Sequence, residues 1–150
     1  MLGGSMKYKK GENLIYVCID KDEFINEQLL NVAVRENICT GWINGIGAIY
    51  DLEIGYFDIS NKRYERKSFK GEYELISLIG NITIKNNSQF IHTHISFSDT
   101  DYRLFGGHLF DARISAAGEF TINTEDFNIS RSLNSTVGLE LWNIKNECKE

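Results

Sequence analysis

The chain contains no proline, and only three histidines and three cysteines among its 150 residues. Without proline there is no rigid proline-rich spacer, and no repeat, low-complexity tract or linker marks a domain boundary. Cys18, Cys39 and Cys148 are odd in number and show no CxxC spacing, which argues against a disulfide framework and for free thiols in a reducing compartment. No apolar run approaches the roughly 20 residues a membrane-spanning helix needs, and no signal-peptide core follows the first lysines. The expectation is a cytoplasmic protein with no membrane partner. An excess of positive charge is missing as well. The formal net charge is −5, which repels phosphate backbones unless a local basic patch overrides it.

What remains is an ordinary globular composition. With 42% hydrophobic and 25% charged residues, no long region is expected to be disordered, and 150 residues fit one core with little room for a second. A second methionine, Met6, stands behind Gly3-Gly4-Ser5, so residues 1–5 read as a remnant of expression, residues 6–144 as a single domain and 145–150 as a C-terminal tail.

Residues 13–19 (NLIYVCI) are a short apolar, β-branched run and predict a buried strand. Asp20 and Glu23 resemble a capping box, and Phe24, Ile25, Leu29, Val32 and Ala33 then recur at helical spacing until Asn37. From Gly41 the period changes to two, with Ala48, Tyr50, Leu52, Ile54 and Tyr56 expected on one face and Asp51 and Glu53 on the other. Asn61-Lys62 predicts a turn into a strand at 64–69, which Gly71 is expected to break before the apolar run 73–84; Asn86-Asn87-Ser88 predicts another turn. Strands are expected at 90–97, 104–110, 120–123 and 137–142, with a turn at 98–101. The fold class is therefore α+β: one main helix packed on a largely antiparallel sheet or flattened barrel.

All three histidines lie between positions 92 and 108. Alternation along a strand puts His92 and His94 on one face, roughly 7 Å apart along the backbone. That spacing lets two imidazoles converge on one ion at zinc–nitrogen distances of about 2.0–2.1 Å. If 90–97 and 104–110 pair as a hairpin, His108 returns beside them, and Gly106-Gly107 allows close backbone approach. Three imidazoles with an open fourth position suit an exchangeable or catalytic divalent metal, zinc among them. A polar sheet face with solvated histidines stays open on the residues alone. Of the nearby acids that could orient a ring or complete the shell, Glu74 ranks ahead of Asp99 and Asp101.

Other chemistries find less support. Ser96 and Ser98 neighbour His94 and Asp99 along one strand and do not make a triad, and there is no GxSxG elbow. Gly45-Ile46-Gly47 begins a dinucleotide pattern, but Tyr50 takes the place of the third glycine. Lys62, Arg63, Arg66, Lys67 and Lys70 form a basic run that reads either as a nucleic-acid or acidic-partner contact or as the solvated, protected face of a strand.

The ordered set Gly41-Trp42-Ile43-Asn44-Gly45-Ile46-Gly47, the segment 71–82 (GEYELISLIGNI), His92-Thr93-His94-Ile95-Ser96 and Gly106-Gly107-His108-Leu109 resembles the plants-and-prokaryotes conserved (PPC) domain, over about residues 7 to 143. The resemblance implies an α+β fold assembling as a homotrimer. It also implies a pocket near a subunit interface to which His92, His94 and His108 contribute, with zinc or a similar ion. In plant relatives the domain follows an AT-hook that grips the minor groove, and the segment matching Gly71 to Ser77 supports contacts with partner proteins. This chain has no Arg-Gly-Arg-Pro core and is acidic, which counts against direct DNA binding. Two functions are thus expected from different classes. One is a stand-alone trimeric metal-binding module that takes a small molecule at the pocket; the other is a DNA-associated or regulatory scaffold using Arg63, Arg66 and Lys67.

Overall fold

The computed structural model describes residues 7–144, so the expected remnant at 1–5 and the tail at 145–150, with Cys148, lie outside the described residues. In chain order the elements are β1 (Lys7–Lys10), β2 (Leu14–Ile19), α1 (Ile25–Arg35), β3 (Gly41–Asp58), β4 (Arg63–Lys85), β5 (Ser88–Ser98), β6 (Leu104–Thr124), β7 (Ser130–Asn134) and β8 (Leu139–Asn143). One sheet runs β1-β2-β6-β3-β4-β7-β8, and β5 pairs with both β4 and β6. Strands β3, β4, β5 and β6 therefore close on one another as a flattened, antiparallel barrel. The one parallel contact among the described residues is Ile84 with Ser130, between β4 and β7. The expected α+β architecture is the one observed. No helix among the described residues is long and apolar enough to cross a membrane.

Closure is incomplete, and this positions the site. β5 meets β6 only from the pair His94–His108 to the pair Ser98–Leu104. Beyond that rung the two strands part, and α1 packs into the split. Backbone groups freed there must find other partners, and Asn26 supplies them. Its side-chain amide donates to the carbonyls of Leu109 (3.3 Å) and Phe110 (3.1 Å), and its amide oxygen accepts from the Thr93 hydroxyl at 2.8 Å. The Asn26 N–H in turn donates to the Asp111 carboxylate at 3.0 Å. Ile25, Leu29, Val32 and Ala33 form the buried stripe of α1, against a core that includes Ile43, Ile49, Leu78, Ile82, Phe97 and Ile114, each fully buried.

Several sequence expectations are corrected. Phe24, not Asp20, is the N-cap of α1 and makes no side-chain cap bond; the Glu23 carboxylate accepts from the Asp20 N–H (2.9 Å), so the capping-box pair closes the preceding turn. Asn37, at φ 52°, ends the helix, with the Ile38 N–H donating to the Ala33 carbonyl at 2.8 Å. The expected face of β3 is broken by a register shift between Tyr50 and Leu52, where Asp51 takes φ 45°. Against β6 the same irregularity sets Asp51 and Leu52 opposite Ala112 alone, which reverses the alternation of β3, so Ile49 lies inside before the bulge and Leu52 and Ile54 after it, while Tyr56 is 75% exposed. Gly71, at φ 95°, bends β4 at that same irregularity and does not break the strand. The strands expected at 104–110 and 120–123 are one element, β6, and β1 and β7, both strongly polar, are additional.

Candidate metal centre

The local sequence brings the rings together in two steps. Asn86 and Asn87, at φ 50° and 62°, make a two-residue turn whose twist suits the β4–β5 hairpin. Along β5 the alternation then sends Thr93, Ile95 and Phe97 into the core, and His92, His94 and Ser96 outward. The turn at 99–102 returns the chain as β6, in which His108 stands directly opposite His94. Close approach needs the two glycines before it. A Cβ on Gly106 would lie 2.7 Å from the Ile95 carbonyl oxygen, and one on Gly107 would lie 2.9 Å from that of Gly55.

Each of the three histidines offers a ring nitrogen, and these atoms all lie within 4.8 Å of one another. The Nε2 atoms of His92 and His94 are 3.2 Å apart. Two nitrogens bound to one tetrahedral zinc at about 2.0–2.1 Å stand roughly 3.3–3.4 Å apart, so the observed spacing fits a shared ion. The buried Nδ1 of His108 has no hydrogen-bond partner among the described residues. A buried polar atom without a partner is costly and calls for a ligand. The three residues thus could hold a metal ion.

Aromatic and cationic side chains surround the cluster. Tyr64 stacks on His108 with ring centroids 4.7 Å apart, and Phe110 meets the same ring edge-on at 5.0 Å. The Arg66 guanidinium lies over Phe110, 3.6 Å from its centroid. Burial pushes His92 down to about 4, helped by the charges of His108, His94 and Arg131. Burial, then His94 and Arg66, pushes His108 down to about 4, and burial also lowers His94. All three rings are therefore neutral at pH 7, the form that coordinates metals.

A pH prediction follows with its sign. An unfolded histidine takes up a proton below about 6.5, whereas folded His92 and His108 resist protonation down to about 4. The unfolded state then binds more protons, so the rings' contribution to stability is lost as pH falls from about 6.5 toward 4. Urea midpoints of metal-free protein should fall more steeply over this window for the parent than for a His92→Gln, His108→Gln double variant. Parallel curves would contradict the depressed ring affinities.

The other expected site residues lie elsewhere. Glu74 is exposed and pairs in register with Ser98, four residues along β5 from His94, about 13 Å at 3.3 Å per residue. Within the chain it is not brought to the histidines. Asp99 accepts from the N–H groups of Asp101 and Arg103 and, with Asp101, pairs with the Arg103 guanidinium, which makes both of them turn-formers. Arg63 pairs with Glu65 at 2.8 Å, Arg66 with Glu53 at 3.3 Å and Lys70 with Asp51 at 3.2 Å, while Lys67 lies over Phe69. The basic run is thus largely matched by acids of its own sheet. Sequence reasoning missed Tyr64 and Arg131 at the cluster. Tyr64 stands in the sequence as one aromatic beside Arg63, Glu65 and Arg66, and Arg131 reaches the site from β7, a short strand of mostly polar residues. A groove of about 710 Å³ lies elsewhere, lined by Tyr16, Val17, Asn44, Ile46, Ser77 and Phe120 among others.

Fold and site together define a small strand-rich domain with a three-imidazole cluster at the seam of its barrel. The model of the Plants and Prokaryotes Conserved (PCC) domain matches residues 6–126, and the chain belongs to this family. Among solved structures it is similar to a candidate DNA-binding protein from Bacteroides thetaiotaomicron, with 34% identity, coverage of 93% of this chain and 98% of that one, and a TM-score of 0.90. A plant- and prokaryote-conserved protein from Pyrococcus horikoshii is 32% identical over 98% of this chain and 100% of its own, with a TM-score of 0.82. A protein from Archaeoglobus fulgidus described as metal-containing is 27% identical over 93% of this chain and 99% of its own, with a TM-score of 0.80. No curated protein matches the sequence.

Proposed function

We propose that the chain is a homotrimeric PCC-domain protein that binds a divalent metal, zinc by preference, through His92, His94 and His108 and presents it to a small molecule. One observation carries this reading: three neutral rings offer nitrogens within 4.8 Å of one another, two of them at the spacing of a shared tetrahedral ion. The Archaeoglobus relative described as metal-containing agrees with it. When bound, such an ion would supply Lewis acidity to whatever shares its open position. The protein's part is to hold the rings neutral, orient them from two paired strands and wall one side with Tyr64 and Phe110.

The trimer rests on the family resemblance and on an apolar outer face. Trp42, Ile46, Ile76, Ile79 and Tyr16 are each at least 43% exposed, and they cluster where β2, β3 and β4 present one surface beside the large groove. Exposed apolar patches of this kind mark association surfaces. Metal analysis of protein purified without chelators, combined with sedimentation equilibrium, tests both parts. About one ion per chain and three chains per particle are expected; a metal-free product that also fails to take up added zinc would reject the centre, and a monomer would reject the assembly.

A second reading, a DNA-associated scaffold, is favoured by the description of the Bacteroides relative. Against it stand the net charge of −5 and the pairing of Arg63 and Arg66 with glutamates. Duplex binding at low salt that weakens as salt is added would support this reading, because phosphate contacts release counterions.

A further inference from the structure

Arg131 lies on β7, outside the segment that the family model matches. Its Nε donates to the Thr83 hydroxyl (2.8 Å), its Nη1 to the Glu140 carbonyl (2.9 Å) and its Nη2 to the Asn81 side-chain oxygen (2.8 Å). All three acceptors are neutral, and a guanidinium has five N–H donors, so two stay free. Among the described residues no carboxylate lies within ion-pair distance of Arg131. Glu140, the acid whose charge it feels, has its carboxylate engaged by Lys85. The result is a half-buried cation that lies over the Phe90 ring, 5.1 Å from its centroid, and forms an ion pair with no carboxylate among the described residues, so its charge stays unneutralised there.

This cation stands at the histidine cluster. Asn81, which anchors it, is the register partner of His92, and its charge acts on both His92 and Tyr64. Tyr64, stacked on His108, makes no side-chain hydrogen bond among the described residues. Three hydrogen-bond donors without acceptors, two on Arg131 and one on Tyr64, thus border the three ring nitrogens.

We propose that Arg131, with Tyr64 beside it, clamps the carboxylate of a small ligand held at the His92–His94–His108 centre. This rests on the metal reading above and names the ligand class. The bound ion would add its own two positive charges, so shape rather than net charge selects the ligand: the planar guanidinium keeps two N–H groups free, and with the Tyr64 hydroxyl they suit the two in-plane oxygens of a carboxylate.

The experiment uses the full chain loaded with cobalt(II), whose visible absorption bands report the open coordination position, titrated with acetate and with uncharged acetamide. Acetate should shift the bands saturably and acetamide should not. Arg131→Gln should weaken the acetate response about tenfold to hundredfold, the worth of a charge-assisted hydrogen bond. The same change should leave cobalt affinity equal or higher, because a nearby positive charge is removed. If the variant loses cobalt and acetate affinity together, Arg131 is structural and the clamp is overturned. Should the variant fail to fold, the comparison of acetate with acetamide on the parent still decides. Cobalt bands that respond alike to both, or to neither, overturn the clamp alone. A chain that takes up no cobalt overturns the metal reading and the clamp with it.

Discussion

Replacing any one of His92, His94 or His108 with alanine is expected to abolish stoichiometric metal retention and to weaken affinity for added zinc. The loss should exceed the roughly 10–100-fold that removal of a mere outer partner costs. Each ring contributes one of three nitrogens within 4.8 Å of one another, so no spare ligand stands ready to replace it. Glu74 is too distant within the chain to substitute. Competition titration against a colorimetric chelator measures the effect, and Glu74→Gln serves as the contrast, with unchanged affinity expected. Equal loss from all four variants would indicate general damage, and no loss from any histidine variant would dismiss the centre.

The second large effect concerns the closed end of the barrel. Phe97→Ala should lower unfolding free energy by about 3–5 kcal/mol, the usual cost of truncating a buried aromatic. Phe97 is fully buried, and its ring meets Phe69 at 5.1 Å, Tyr73 at 5.3 Å and Phe105 at 5.6 Å between centroids. It also belongs to the rung that pairs β5 with β6, opposite Phe105. The cavity would open among aromatic rings that cannot collapse independently. Equilibrium urea denaturation checks it, with Tyr56→Ala, exposed on β3, expected to stay within about 0.5 kcal/mol of the parent. Similar midpoints for the two variants would contradict this view of the core.

Much of this was legible before any coordinates. The helix shows because Ile25, Leu29, Val32 and Ala33 recur at its period, and β5 shows because its apolar and polar residues alternate cleanly. The convergence of His108 on His94 was readable from a polar turn between two strand-like runs. Bulges were not readable. The one at Asp51 reverses the faces of β3 through a single backbone angle, and no property of an aspartate side chain announces it. Long bent strands hide for the same reason: the glycine that looks like a break at 71 is accommodated within β4, and the runs at 104–110 and 120–123 join as β6. The surroundings of the site were less visible still. Arg131 lies 23 positions beyond His108 on β7, a short strand of mostly polar, exposed residues, so only tertiary structure shows its proximity.

The partial closure of the barrel would give a bound metal a second meaning. His94 and His108 occupy the last rung before β5 and β6 separate around Asn26, at the point where a zipper would begin to open. An ion bridging them would act as a rivet at that point, so that occupancy and fraying would oppose each other. Amide hydrogens of the neighbouring rungs should exchange more slowly when metal is added, and a ligand that withdraws the metal would loosen the same seam without touching the core.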